Sequence, residues 1–72
     1  MYIKVNEVAP RVTQRYPYTH RAEFQTSLTQ YEQILDWILN LNIGCVTIPL
    51  GNNSHALYLR KNDLTMFILR WS

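Results

Sequence analysis

The sequence predicts an α+β fold: a small antiparallel sheet of three to five strands, one amphipathic helix packed on one face, and an element order of roughly ββαβββ. Three observations predict it. A capped apolar stripe runs from Leu28 to Leu41, the first eight residues alternate with the period of a strand, and the last third is a set of short apolar runs separated by turn residues.

The helix is the plainest element. Ser27 stands at the N-cap with Gln30 three residues on, the pattern that satisfies unpaired N–H groups at a helix start. Leu28, Tyr31, Ile34, Leu35, Ile38 and Leu41 follow at helical spacing, with Gln30, Gln33, Asp36 and Asn40 on the other side. Gly44 is placed to end the helix in a left-handed conformation. Before it, residues 1–8 read as a strand and His20–Thr26 as a second, joined by a segment in which Pro10 and Pro17 interrupt regular structure. After it, Cys45–Leu50, His55–Lys61 and Leu64–Trp71 read as three strands, joined by a four-residue loop at 51–54 and a turn at Asn62-Asp63.

These turns fix a register. Ile48 pairs with Leu57, Val46 with Leu59, Leu59 with Met66 and Leu57 with Ile68, which puts those residues on the face under the helix. The opposite face then carries Tyr58, Arg60, Phe67, Leu69 and Trp71, with Tyr58 directly across from Phe67. One helix cannot cover two apolar faces, so this second face is the expected protein interface. The segment Val8–His20, with Val12, Tyr16 and Tyr18, is its alternative cover.

At 72 residues the chain has room for a single domain, 1–72. A domain of this size buries only about 60% of its unfolded surface, so association would add useful stability. Cys45 is the only cysteine, which excludes an internal disulfide. Cys45, His20 and His55 are too widely spaced for a zinc site, and neither a cofactor nor a small-molecule substrate is indicated. The residues after Met1 form no signal sequence and no apolar run is long enough to span a bilayer, so a cytoplasmic protein without membrane contact is expected. Seven Lys+Arg against five Asp+Glu give a net charge of +2, too weak to argue for nucleic acid alone.

Catalytic pairings fare poorly. The register puts Cys45 and His55 on opposite faces and far apart along the hairpin, so they form no nucleophile–base pair. Arg60, opposite Cys45, would lower the thiol pKa modestly. Glu32 and Asp36 lie one turn apart on a solvated helix face, and Gly44 and Gly51 are too far apart for a phosphate loop. The expectation is a non-enzymatic binding module: a regulator or inhibitor acting on a protein partner, or self-associating as a homodimer through the aromatic sheet face. In format, not in any motif, the chain is similar to small accessory proteins of phages and mobile elements. The alternative is a single-stranded nucleic-acid-binding protein that uses the interleaved cations and aromatics Arg11, Arg15, Tyr16, Tyr18 and Arg21 with the sheet aromatics.

Overall fold

A computed structural model of the chain describes residues 1–8 and 18–72. Strands β1 (Ile3–Glu7) and β2 (His20–Gln25) are followed by helix α1 (Leu28–Asn40). Strands β3 (Val46–Gly51) and β4 (Ser54–Leu59) and helix α2 (Lys61–Trp71) complete the order. The strands form one antiparallel sheet in the order β1-β2-β4-β3, so β2 and β4 are central. The α+β class, the antiparallel sheet and the first helix agree with the sequence reading; the last strand does not.

Helix α1 starts where its cap says it should. The Ser27 hydroxyl accepts the Gln30 backbone N–H at 3.2 Å. The Gln30 side chain does not turn back to the cap. It accepts instead from the hydroxyl of Thr26, a buried polar residue. The helix stops at Asn40, four residues before Gly44. Asn42 takes the left-handed conformation at φ 54°, donating to Leu39 O, while Ile43 donates to Ile38 O. That is a Schellman ending, in which asparagine serves where glycine is commoner. Gly44 instead lies close to Tyr18: a Cβ there would sit 3.1 Å from the Tyr18 hydroxyl, a tight contact that this side chain would have to relieve by a shift of a few tenths of an ångström.

The C-terminal segment is a helix, so the expected third strand of the hairpin series is corrected. Arg60 occupies its N-cap without a side-chain bond, and Asn62-Asp63 is the helix's first turn and no hairpin turn. Asp63 there lies favourably at the positive end of the helix dipole. Leu64, Phe67 and Trp71 are buried and Ile68 is half-buried, at the i, i+3, i+4, i+7 spacing of a helix face. No Tyr58–Phe67 strand pair exists. Phe67 is 1% exposed, its ring 5.4 Å from that of Phe24 and 6.3 Å from that of Trp37.

The register of β3 is also corrected. The loop closes between Gly51 and Ser54, not between Leu50 and His55. Asn52 and Asn53 both have positive φ, the requirement of a two-residue turn whose twist matches the strands. Leu50 is the extra residue of a bulge between Pro49 and Gly51, and Gly51 at φ 85° supplies a conformation that residues with a side chain rarely adopt. Beyond the bulge, Ile48 pairs with Ala56 and Val46 with Tyr58. This one-residue shift moves Val46 and Ile48 off the helix face and onto the opposite one.

Both helices pack on the same face of the sheet. Ala22, Phe24, Leu57 and Leu59 meet Ile34 and Ile38 of α1 and Leu64, Phe67 and Trp71 of α2 in one core. His55 lies at its margin, stacked on Tyr31 at 3.7 Å between ring centroids and 8° between planes. The β3–β4 turn is tied to the start of α1 by Gln25 Nε2 donating to Asn52 O and by the Thr26 N–H donating to Asn53 O. No helix among the described residues is long and apolar enough to cross a membrane.

Candidate binding face

Residues next to the core positions of each strand point the other way, to a face that neither helix covers. Arg21 and Glu23 of β2, Ala56 and Tyr58 of β4, and Val46 and Ile48 of β3 are on it by register. Its two halves differ in character. The β3–β4 half is apolar: Ile48 is 38% and Leu50 45% exposed, Val46 and Tyr58 are half-buried, and Ala56 is fully buried between its register partners Glu23 and Ile48. The β1–β2 half carries Lys4, Asn6, Arg21 and Glu23.

Arg21 links the halves. Its Nη2 is 2.8 Å from Glu23 Oε1, and its guanidinium carbon lies 5.6 Å from the centroid of the Tyr58 ring. Its Nε is buried with no hydrogen-bond partner among the described residues. At the β1 N-terminal end the face is hollowed into an open pocket of about 390 Å³, between Tyr2, Lys4, Glu23, Gln25, Leu50 and Ser54. A shape of this kind offers an apolar strip, a fixed ion pair and a shallow recess, which suits contact with another macromolecule's surface.

The residues expected at the interface separate. Tyr58 lies on the helix-free face, and Arg60 and Leu69 are exposed on and beside α2. Phe67 and Trp71 are core residues, since helix formation turns them under the sheet, and they are withdrawn from the interface. Of the cation–aromatic segment, Arg11, Arg15 and Tyr16, like Val12 of its alternative cover, lie outside the described residues. Arg21 is engaged by Glu23 and Tyr58, and Tyr18 stands against Gly44. Val46 and Ile48, expected under the helix, lie instead on the helix-free face. The pair of asparagines with Gly51 before them was the available signal.

Cys45 packs against the core on the helix side, as the corrected register requires. It therefore shares a face with His55, but the two lie at opposite ends of β4, about four strand positions or roughly 13 Å apart. Burial pushes the Cys45 thiol above its ordinary value, and the Asp63 carboxylate adds to the rise, so the expected lowering by Arg60 is reversed. Raising a thiol pKa makes the folded state hold its proton more tightly than the unfolded chain. Stability is then unaffected below the ordinary thiol range and falls as pH climbs through it. Iodoacetamide titration should accordingly show folded Cys45 alkylating at higher pH than the urea-unfolded chain. Coincident profiles would contradict this placement. Among the described residues, no three His, Cys, Asp or Glu side chains gather into a potential metal site. No family model, no curated protein and no solved structure matches this chain.

Proposed function

We propose that the protein is a small non-enzymatic binding module of the cytoplasm, a regulator or inhibitor that engages a protein partner through the helix-free face of its sheet. The observation that carries this reading is the half-exposed aliphatic strip of Val46, Ile48 and Leu50 beside Tyr58. Both helices are already spent on the other face, and an antiparallel sheet's solvated face is normally polar. The partner presents an apolar patch to this strip, with polar groups facing Lys4 and the Arg21–Glu23 pair. The single-stranded nucleic-acid alternative is weakened, because Arg21 is already neutralised by Glu23 on the face that bases would have to stack on.

Site-specific photo-crosslinking tests the reading. A benzoylphenylalanine at Ile48 should capture a discrete protein in cell extract, and nuclease treatment should leave the adduct unchanged. The same group at Leu69, 81% exposed on α2, should not capture it. Nuclease-sensitive capture at Ile48 would transfer the function to nucleic acid, and equal capture at both positions would remove the face from consideration.

A further inference from the structure

The two edges of the sheet differ in a way that independently points to self-association. β3 is a poor template for an added strand: Pro49 has no N–H to offer, and the bulge at Leu50 breaks the ladder. β1 has neither defence. Its outward backbone groups can be identified from one bond. Val8 donates to Thr19 O at 2.9 Å, in line with the register that pairs Ile3 with Phe24 and Glu7 with His20. Val8–Thr19 is therefore a hydrogen-bonded pair, and by alternation so are Asn6–Arg21 and Lys4–Glu23. The N–H and C=O groups of Ile3, Val5 and Glu7 consequently point away from β2, and no described strand receives them.

From this geometry we infer that β1 is a homodimerisation edge, pairing antiparallel with β1 of a second copy about a two-fold axis at Val5. In that register Val5 faces Val5 of the second copy, and Ile3 faces Glu7. Each outward residue then donates one bond and accepts one, so the edge is self-complementary. Lys4 falls opposite Asn6, and no like charges meet. A register centred on Lys4 would set two lysines against each other, and one centred on Asn6 would leave Ile3 unpaired. Pairing along β1 keeps the helices of both copies on one side and joins their helix-free faces into one surface.

The inference does not depend on the proposed function, and the two fail separately. Val5→Pro removes an outward N–H but no bond to β2, so the edge tolerates it. Sedimentation equilibrium should show a reversible dimer for the wild type and loss of that dimer for Val5→Pro, with unchanged circular dichroism. Disulfide trapping in a Cys45→Ser background reads the register without needing that variant. Val5→Cys should oxidise to a covalent dimer, since facing Cα atoms of a hydrogen-bonded pair lie about 5.5 Å apart. Lys4→Cys and Asn6→Cys should cross-link with each other several times faster than either with itself. A wild type that stays monomeric at high concentration would overturn the inference. So would a Val5→Pro chain that dimerises like wild type, or trapping that is fastest at Lys4 with itself.

Discussion

Phe67→Ala is expected to cost about 3–5 kcal/mol, the range for truncating a buried aromatic side chain. Phe67 is 1% exposed and touches three parts of the fold: its ring meets Phe24 from β2 and Trp37 from α1, and it stands one turn from Leu64 and Trp71. Small domains have about 5–15 kcal/mol in total, so the loss consumes much of the stability. Thermal unfolding followed by circular dichroism should show a midpoint lowered by more than about 10 °C, or no folded baseline. Leu69→Ala, two residues on and exposed, should change stability by no more than about 0.5 kcal/mol. If residues 64–71 were a strand with Phe67 and Leu69 on one open face, the two substitutions would behave alike.

Trp71→Ala carries the second large effect, again about 3–5 kcal/mol. Trp71 is 8% exposed at the end of α2, its ring edge-on to Trp37 at 6.2 Å between centroids, with the Arg70 guanidinium 4.2 Å from its ring centroid. Its indole N–H is buried without a hydrogen-bond partner among the described residues. Trp71→Phe removes that unmet donor while keeping an aromatic ring, so it should cost clearly less than alanine. A double-mutant cycle with Trp37→Ala should return a coupling of about 0.5–1.5 kcal/mol for the edge-on pair. Urea unfolding measures all three. An unchanged midpoint for Trp71→Ala would put the residue back on the surface.

These two residues also mark where the sequence became ambiguous. Leu64-Thr65-Met66-Phe67-Ile68-Leu69-Arg70-Trp71 is so nearly apolar throughout that it satisfies strand alternation and helical spacing together. What decides between them is tertiary: β4 and β2 already present Leu57, Leu59, Ala22 and Phe24 on a face that α1 only partly covers, and a helix bringing Leu64, Phe67 and Trp71 to it completes the core. Helix α1 was legible because its signals are local, a serine cap followed by apolar residues at helical spacing; only the middle of the expected stripe is buried, at Ile34 and Ile38, while its ends Leu28 and Leu41 are exposed. The faces of β4 were legible too, since Leu57 and Leu59 alternate with Ala56 and Tyr58. The face of β3 hung on a single bulged residue, Leu50, and a one-residue error reverses a whole strand. So the sequence led correctly to a sheet face that neither described helix covers and that bears Tyr58, and incorrectly to Phe67, Leu69 and Trp71 on it: β3 supplies Val46 and Ile48 in their place.

Binding through that face is tested most directly by an affinity comparison on the partner captured through Ile48. Ile48→Glu places a charge in the centre of the aliphatic strip without touching the core, so binding should weaken by about 2 kcal/mol or more while the unfolding midpoint holds. Leu69→Glu, on the exposed side of α2, should bind as wild type. Titration calorimetry with both variants reads the difference. Unimpaired binding by Ile48→Glu together with loss by Leu69→Glu would contradict the account and move the interface from the sheet to the helices.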